Sequence, residues 1–414
     1  MYYRLNKDCR LVKGAKRGAI YDFQSGKVYS INNGAVQLLL ACQEHSLDKL
    51  LDVTNSNSKK YLSFLDDLTG KGVGSLYTFD PGIKAPTAEV QVADDIRLEF
   101  LWLELTSKCN NRCLHCYATS GPVIETKDCV PHERWLSLID EARQAGATAI
   151  QLIGGEPLMY PKWRELVVKA KKSGYEFIEI FTNATLVDDS CINFFKENDV
   201  SIATTIYSDC SEIHDKVTLN QGSFDKTLTA IKKIIAAQIP LRIASIIMKA
   251  NETEPQKIMD LCQQLGVEVN PPDVVRPTGR GDDKELIPSM YTKQPIKPPF
   301  YTDAESFAKA QMHHSCLAGK IAVTATGDII PCIFARSQIC GNILTESLTE
   351  VLRGQPLQQC WRTTKDHVEK CKDCEFRYAC SDCRPLAQGS DPNKRWLACS
   401  CGCSYNPYTG KWEE

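Results

Sequence analysis

Three cysteines within eight residues constrain this chain more than any other feature. The run Cys-Asn-Asn-Arg-Cys-Leu-His-Cys places Cys109, Cys113 and Cys116 shortly after an apolar segment, residues 100–105, that has the character of a buried strand. Cubane iron–sulfur clusters usually take four cysteines, so three in one short loop leave one iron open, as catalytic metal sites do. We therefore predict a reactive metal site at the C-terminal end of a strand, where α/β folds carry their active sites.

Other thiol chemistries remain alternatives for this loop. A zinc site usually pairs two Cys-x2-Cys motifs. Here the spacing is Cys-x3-Cys-x2-Cys, and the next cysteine along the chain is Cys129. A zinc loop or a set of redox thiols is therefore the less favoured interpretation.

The composition indicates a globular protein with reduced cysteines. Of 414 residues, 43% are hydrophobic, and 49 basic residues balance 51 acidic ones, which argues against a nucleic-acid partner. No apolar run predicts a membrane span and the N-terminus has no signal-peptide core, so we expect a cytoplasmic protein without a membrane partner. Because that compartment is reducing, 20 cysteines indicate metal binding. Seven scattered ones are interpreted as small buried apolar residues: Cys9, Cys42, Cys129, Cys191, Cys210, Cys262 and Cys360.

The chain divides into five predicted regions. Its N-terminal part combines a hairpin over 17–32 with short helices over 35–42, 47–51 and 61–68, and this order resembles a winged helix. A stretch rich in proline and small residues follows, then alternating strands and helices, a proline-rich bridge and a cysteine-rich end. We predict a winged-helix-like module over 1–80, a linker over 81–96, a barrel over 97–281, a bridging region over 282–315 and a cysteine-rich domain, short of regular structure, over 316–414.

Repeated βα units predict the architecture of the middle region. Such units form a parallel sheet with right-handed crossovers. About six of them predict an α/β fold with a partial (β/α)6 TIM-like barrel that is open on one side, because a closed eight-fold barrel needs more chain. The predicted strands span residues 100–105, 149–153, 177–181, 201–206, 241–248 and 267–270, and the predicted helices 133–145, 163–173, 190–197, 224–238 and 255–265.

A turn with two glycines follows the second strand of this barrel. The sequence Gly-Gly-Glu-Pro at 154–157 offers a backbone that a ligand can approach closely, with a carboxylate beside it. This turn and the cysteine loop one βα unit earlier resemble those of radical S-adenosylmethionine (SAM) enzymes. The resemblance implies that Cys109, Cys113 and Cys116 are catalytic and hold a [4Fe–4S] cluster whose open iron binds SAM. The SAM contacts that it implies are His115, Gly154, Gly155, Glu156, Thr182, Asn183, Ser208 and Arg280; a solvated loop position is the alternative for His115.

The C-terminal cysteines form a second signature. Residues 371–383 contain Cys-x2-Cys-x5-Cys-x2-Cys, after a Gly-x4-Cys motif at 327–332. The pattern resembles the SPASM extension of radical SAM enzymes, although that family usually has three residues between the last two cysteines. The resemblance implies an outer auxiliary [4Fe–4S] cluster on Cys371, Cys374, Cys380 and Cys403, with Cys399 and Cys401 as alternatives to Cys403. It implies an inner cluster on Cys316, Cys332 and Cys383, whose fourth ligand is Cys340 or a substrate thiolate. Structural zinc ribbons are the alternative.

Taken together, the chain resembles the radical SAM/SPASM maturases of ribosomally made peptides, of the sactipeptide and ranthipeptide type. The resemblance implies an enzyme that reductively cleaves SAM to a 5′-deoxyadenosyl radical and abstracts hydrogen from a precursor peptide. It implies a flavodoxin or ferredoxin as electron donor, and a leader peptide that the N-terminal module captures as an added strand. For that module, a purely structural cap is the alternative.

The expected product is a crosslink through a cysteine thioether, because three clear inner ligands suit a substrate thiolate. Carbon–carbon crosslinking, or dehydrogenation of Ser or Cys to formylglycine, is the second interpretation. A non-enzymatic electron-transfer protein or zinc scaffold is the third.

Overall fold

The computed structural model describes residues 1–51, 56–82, 95–123, 128–268, 270–291 and 296–413. Most of the predicted linker, residues 83–94, lies outside the described residues. Within them, no helix has both the length and the apolar character needed to cross a membrane.

The N-terminal module is a small α+β unit. Its strands β2, β3 and β4 form an antiparallel three-stranded sheet, and β1 pairs with β5. The predicted hairpin and three helices are confirmed, whereas β1, β2 and β5 had no predicted counterpart; the likeness to a winged helix stays a prediction. The elements are β1 (Tyr2–Leu5), β2 (Cys9–Lys13), β3 (Arg17–Asp22), β4 (Val28–Asn32), α1 (Asn33–Glu44), α2 (Leu47–Leu50), α3 (Ser56–Gly70) and β5 (Gly74–Tyr77).

The middle region is the predicted parallel sheet with crossover helices. Five strands lie side by side in chain order, and each pairs parallel with the next. They are β6 (Phe100–Glu104), β7 (Ala149–Ile153), β8 (Phe177–Phe181), β9 (Ser201–Thr205) and β10 (Leu241–Ala244). The helices are α4 (His132–Gln144), α5 (Trp163–Lys172), α6 (Asp189–Glu197), α7 (Ser211–Thr218), α8 (Ser223–Ala236) and α9 (Pro255–Gln264).

The last two predicted strands of the barrel need correction. The predicted strand at 241–248 is interrupted at Ser245 into β10 and β11 (Ile246–Ile247), and β11 pairs with β12 (Asp273–Val274). The sixth strand therefore lies at 273–274 and not at 267–270, where residue 269 is outside the described residues and the others belong to no strand. The chain has prolines at 271 and 272, which cannot donate to a ladder, so pairing begins only after them.

The sheet continues into the C-terminal part of the chain. Strand β13 (Lys320–Val323) pairs parallel with β6, on the side opposite β7, and β14 (Asp328–Ile330) and β15 (Gly341–Asn342) extend the sheet to eight strands. The result is a TIM-like, mostly parallel α/β sheet whose strands come from both sides of the predicted bridging region in the sequence. The expectation of little regular structure beyond residue 316 was therefore wrong. The remaining elements are α10 (Ala304–Met312), α11 (Leu348–Arg353), α12 (Gln355–Trp361), α13 (Arg384–Ser390), β16 (Tyr405–Asn406) and β17 (Lys411–Trp412).

The main core lies between the sheet and its helices. Leu103, Leu152 and Ile321 from three adjacent strands pack with Trp135 of α4 and Trp361 of α12, and all five are fully buried. Burial of each such side chain contributes about 1.5–3 kcal/mol to folding. Because β13 and α12 contribute to the same core as β6 and α4, the C-terminal part is packed as part of the barrel.

The N-terminal module packs on the segment that carries the late cysteines. The Tyr21 hydroxyl donates to the Glu375 carbonyl at 2.9 Å. The Glu375 carboxylate is fully buried and accepts from the Tyr405 hydroxyl at 2.6 Å and the Ser30 hydroxyl at 3.3 Å. Phe376 packs with Tyr21 in a separate apolar cluster. The module is thus anchored at the two residues that directly follow Cys374.

Candidate active site and auxiliary cysteine sites

The three-cysteine loop, residues 109–116, follows β6 and brings its thiols together. Burial raises the pKa of Cys109 to about 12 and raises that of Cys113 further. The neighbouring thiol of Cys116 adds to both pKa shifts, so the three sulfurs converge. Metal ligation requires thiolates, and a bound cation removes the cost of forming them in this buried loop. The donor set therefore fits an iron–sulfur cluster with three protein ligands, as predicted for this loop.

Hydrogen bonds to the sulfurs add to this fit. The backbone N–H groups of Asn111 and Ser120 lie 3.4 Å from the sulfurs of Cys109 and Cys116, respectively. The Asn183 side-chain amide lies 3.7 Å from the Cys109 sulfur. Such donors to cluster sulfurs are among the factors that set a cluster's reduction potential. Asn183, predicted to contact SAM, therefore also supports the cysteine loop.

The Gly-Gly-Glu-Pro turn is locked to the start of this loop. A Cβ atom on Gly155 would lie 2.1 Å from the Lys108 carbonyl oxygen, and one on Gly154 would lie 2.7 Å from the Thr106 oxygen. The Gly155 N–H donates to Thr106 and the Glu156 N–H to Lys108, at 2.7 and 2.8 Å. The glycines had been expected to admit a ligand. In the structure they admit the backbone of the adjoining chain, and their contact with SAM stays a prediction.

Glu156 is fully buried and positioned by three donors. Its carboxylate accepts from the Thr182 hydroxyl at 2.7 Å and from the backbone N–H groups of Asn183 and Leu158 at 2.8 and 3.0 Å. Burial raises its pKa to about 7, although these hydrogen bonds oppose the shift. A carboxylate can accept about four hydrogen bonds, so one acceptor direction remains for an ammonium group. This fits the predicted contact with SAM.

Arg280 holds the cysteine loop through its backbone. Its guanidinium donates to the carbonyl oxygens of Cys113, at 2.9 and 3.0 Å, and Ser120, at 2.8 Å. Its own N–H donates to the Cys116 carbonyl at 3.0 Å. Arg280 had been predicted to contact SAM; the contacts observed in the structure are all with the loop.

His115 lies under the loop rather than in solvent. Its Nε2 is 3.3 Å from the Tyr207 hydroxyl, and the two rings meet edge to face at 5.1 Å. Burial, with a further contribution from the Arg280 charge, lowers its pKa to about 4, so the imidazole is neutral near pH 7. Its Nδ1 is buried without a hydrogen-bond partner among the described residues. The unpartnered nitrogen is consistent with a ligand contact, and the role of the partly exposed His115 stays a prediction.

Ser208 is turned toward a second polar cluster. Its fully buried hydroxyl donates to Glu254 at 2.7 Å and lies 3.4 Å from the Cys210 sulfur. Asp209, Cys210 and Glu254 place their ligand atoms within 4.8 Å of one another. Cys210 was interpreted from the sequence as an isolated buried residue, because Glu254 is distant in sequence and approaches it only in the folded structure. The predicted contact of Ser208 with SAM stays a prediction.

The outer cysteines surround one cavity, which we call the outer cavity. It has about 390 Å³ of empty space, and its lining includes aromatic side chains together with Cys371, Cys374, Cys380, Cys399 and Cys403. The sulfurs of Cys371 and Cys399 are 3.8 Å apart, and Cys399 also hydrogen-bonds Cys403. Cys401 is exposed and does not line the cavity. Five thiols in one cavity fit the four-cysteine ligation of a cubane with one thiol to spare.

The inner cysteines are Cys316, Cys332 and Cys383. Burial raises the pKa of Cys332 to about 12, with further contributions from the neighbouring thiols of Cys383 and Cys316. Cys340, one candidate for a fourth ligand, instead donates its thiol to the Gln338 carbonyl at 3.4 Å and lies beside Cys360 in the main core. The structure therefore brings three cysteines to the inner site and directs Cys340 elsewhere.

Comparisons with known proteins agree with this geometry. Residues 103–262 match the family model of the radical SAM superfamily, and residues 316–375 match that of the iron–sulfur cluster-binding SPASM domain. The AdoMet-dependent heme synthase of Methanosarcina barkeri is 26% identical over 69% of this chain and 90% of its own length. The subtilosin biosynthesis protein AlbA of Bacillus subtilis is 25% identical over 72% of this chain and 69% of its own length.

A solved structure extends the likeness to almost the whole chain. Streptococcus suis SuiB, bound to its precursor peptide SuiA, covers 97% of this chain and 100% of its own at 14% identity, with a TM-score of 0.56. At that identity, the likeness shows a shared fold.

The chain carries a radical SAM domain over residues 103–262 and a SPASM domain over residues 316–375. It is a radical SAM enzyme and not a non-enzymatic scaffold, and its two domains imply iron–sulfur clusters and SAM binding.

Proposed function

We propose that this enzyme is a peptide maturase that installs a cysteine thioether crosslink in a ribosomally made precursor peptide. The proposal includes three [4Fe–4S] clusters: one on the cysteine loop, one on the inner cysteines and one in the outer cavity. When bound and reduced by flavodoxin or ferredoxin, the loop cluster supplies the electron that splits SAM, and the resulting radical takes a hydrogen atom from the peptide. The observation that carries the thioether is an inner site with three cysteines.

The residues around the loop fix its geometry for this chemistry. Arg280 and the Gly155 backbone hold the loop on two sides, so the open metal position has a defined direction. Thr182 and Asn183 orient the Glu156 carboxylate, which we propose accepts the SAM ammonium group. A neutral His115 places no second cation beside a cationic sulfonium. Burial of Cys109 excludes water from the cluster side of the site.

The N-terminal module supports a peptide as the substrate. Its three-stranded sheet ends in β2 on one side, and an extended leader peptide can add to that edge through main-chain hydrogen bonds. The other outer strand, β4, is already bonded at its start by residues 300–302. Contacts through Tyr21 hold that sheet against the segment of the outer cavity. The names of AlbA and of the SuiB–SuiA complex associate those relatives with peptide products, which is consistent with this proposal.

The inner site supports the thioether product. Cys316, Cys332 and Cys383 would hold an inner cluster, and one iron would remain open to a substrate thiolate because Cys340 lies in the main core and donates to the Gln338 carbonyl. A cysteine of the peptide can complete that coordination and then bond to the carbon that lost its hydrogen. Formation of the carbon–sulfur bond would release the thiol proton and one electron, which auxiliary clusters at these sites would pass to an oxidised carrier protein such as flavodoxin or ferredoxin.

Two other outcomes are distinguishable. Carbon–carbon crosslinking or formylglycine formation is favoured if the inner site takes four protein ligands. A tetrapyrrole substrate, suggested by the name of the Methanosarcina relative, is the second candidate function and is favoured by that relative's 26% identity.

The test is an anaerobic reaction of the full chain with SAM, dithionite and the short cysteine-containing peptides encoded beside its gene. We expect 5′-deoxyadenosine, a peptide mass lower by one thiol hydrogen and one carbon-bound hydrogen, and loss of alkylation at one cysteine. Cys113→Ala is the control and should give none of these. A peptide whose cysteines all remain alkylatable would exclude the thioether, and decarboxylation of an added iron porphyrin would favour the tetrapyrrole.

A further inference from the structure

A buried lysine lies beside the outer cavity. Lys365 is only 9% exposed, and its side chain lines both the outer cavity and a second cavity of about 290 Å³ next to it. Its ammonium nitrogen is 3.2 Å from a carboxylate oxygen of Asp382. Lysines are almost never buried unless they are paired, and Asp382 provides that pairing for Lys365.

The partners of Lys365 leave an excess of positive charge. Asp382, between Cys380 and Cys383, also pairs with Arg384, whose guanidinium is fully buried and donates to the Ala398 carbonyl at 2.8 Å. Two cations thus share one carboxylate. We call Lys365, Asp382 and Arg384 the charged triad.

The nearby histidine does not change that balance. His314 Nε2 is 3.6 Å from Asp382, while its Nδ1 accepts the backbone N–H groups of Cys316 and Leu317 at 3.1 Å. A nitrogen that accepts two hydrogen bonds carries no proton. The ring is therefore neutral.

Other charged groups also lie near the outer cavity. Arg377 lines the cavity but pairs with Asp366 at 2.8 Å. Lys370 also lines the cavity and adds a further positive charge. The Glu375 carboxylate, which accepts from Ser30 and Tyr405, places a negative charge beside Cys374 that offsets the charge of Lys370, so the excess from the charged triad remains.

The inner cysteines have a more balanced surrounding. The cation that acts on the Cys332 thiol is Arg276, which pairs with Asp273 at 2.6 Å. Its charge is therefore compensated beside the inner site, whereas the charged triad leaves one uncompensated cation on the side of the outer cavity. A positive charge stabilises a reduced cluster, which carries one more negative charge, and so raises its reduction potential.

We propose that Lys365, positioned by Asp382, raises the reduction potential of the outer cluster above that of the inner one. The electron that remains after a substrate bond has formed then moves from the inner cluster, which is oxidised again, to the outer cluster, which is reduced. An oxidised flavodoxin or ferredoxin takes the electron from there. This inference rests on the proposed function only in that both auxiliary sites hold clusters.

The test is a potentiometric titration of the full chain, reconstituted anaerobically and followed by electron paramagnetic resonance without SAM or peptide. Cys371→Ala, which removes an outer ligand, identifies the outer signal. Lys365→Met should lower the outer midpoint potential, and Asp382→Asn, which leaves two cations uncompensated, should raise it. The inner and loop signals should shift less in both variants. Lys365→Arg keeps the charge and should retain the wild-type potential.

A matched control and a content measurement make the result decisive. Lys372→Met removes an exposed lysine that directly follows Cys371 in the sequence, so it should leave every potential unchanged. Iron and sulfide content must equal that of the wild type. If Lys365→Met does not retain iron, the direction in which Asp382→Asn shifts the outer midpoint potential decides the test. Unchanged outer potentials, equal shifts of all clusters, or shifts of the same sign in both variants would overturn the inference. Failure to modify a peptide would instead count against the proposed function alone.

Discussion

The cysteine loop and the outer cavity present their thiols in opposite ways. The loop has three cysteines, and its shape is fixed by backbone contacts to Gly155 and Arg280. The outer cavity has five cysteines from three separate turns, enclosed by aromatic side chains such as Phe376 and Trp412. A rigid loop with too few thiols leaves a metal position for chemistry, whereas a cavity with surplus thiols encloses the metal. The difference suggests reaction at one site and electron storage at the other.

Loss of one cysteine at each site tests this division most strongly. Cys113→Ala should abolish SAM cleavage, because two thiolates cannot hold the loop cluster. Cys371→Ala should lower iron content by about four atoms of about twelve yet retain 5′-deoxyadenosine release. The measurements are iron content and release of 5′-deoxyadenosine under dithionite. Equal loss of release in both variants would remove the division.

The late cysteines provide a second test of the outer cavity. Cys403→Ala should lose the outer cluster, because Cys403 lines the cavity and is the predicted fourth ligand. Cys401→Ala is the matched control, since that residue is exposed and outside the cavity lining. Iron content decides. If Cys399→Ala loses the cluster while Cys403→Ala keeps it, the fourth ligand is Cys399.

The rigidity of the cysteine loop can be broken at one glycine. Gly155→Ala places a Cβ atom 2.1 Å from the Lys108 carbonyl oxygen, so the free energy of unfolding should fall by about 3 kcal/mol. Gly121→Ala is the control, because its Cβ would meet no atom closer than 3.6 Å. Urea unfolding of both variants measures the effect. A Gly155→Ala variant as stable as Gly121→Ala would show that the turn can move away from the loop.

The buried carboxylate beside the loop predicts a pH dependence of stability. Folding raises the Glu156 pKa from 4.5 to about 7, so in that range the folded protein holds a proton that the unfolded chain has released. The contribution of Glu156 is therefore present below pH 4.5 and is lost as pH rises through about 7, by about 3 kcal/mol in total. Glu156→Gln should remove this slope in urea unfolding, whereas the exposed Glu133→Gln should keep it. An unchanged slope in Glu156→Gln would contradict the raised pKa.

The smallest expected effect concerns the support of the outer cavity. Tyr21→Phe removes a donor to the Glu375 carbonyl and an acceptor for the Tyr378 N–H. We expect a loss of about 1–2 kcal/mol and faster hydrogen exchange in β2 and β3, with no change in SAM cleavage. Tyr301→Phe, at an exposed tyrosine that lies beside Lys27 of the N-terminal module, is the control. Unchanged exchange in Tyr21→Phe would mean that the apolar contacts alone hold the module.

Local sequence patterns predicted the elements and the cysteine groups well. Spacing along the chain brings Cys109, Cys113 and Cys116 together whatever the rest of the fold does, and βα periodicity identified strands β6 to β9 closely. The boundaries of the five predicted regions and the role of each site residue stay predictions. Local sequence patterns predict contacts between residues that are a few positions apart in the chain.

Contacts between distant segments were beyond those patterns. Nothing local to Cys340 indicates that its thiol meets Cys360, and nothing local to Arg280 indicates that it faces the Cys113 carbonyl. The pairing of β13 with β6 joins residues more than two hundred positions apart. Such contacts depend on packing of the whole chain and have no periodic signature.

That strand pair has a consequence for the substrate. Strand β6 leads into the cysteine loop, and β13 lies between Cys316 and Cys332. The cysteine loop and the inner cysteines are therefore attached to two neighbouring, hydrogen-bonded strands of one sheet. The hydrogen bonds between β6 and β13 therefore fix the distance between the cysteine loop and the inner cysteines. In a maturase, the size of the ring closed in the product would then be selected by this distance, and a peptide whose two partners are spaced too far apart or too closely would be rejected before any bond forms.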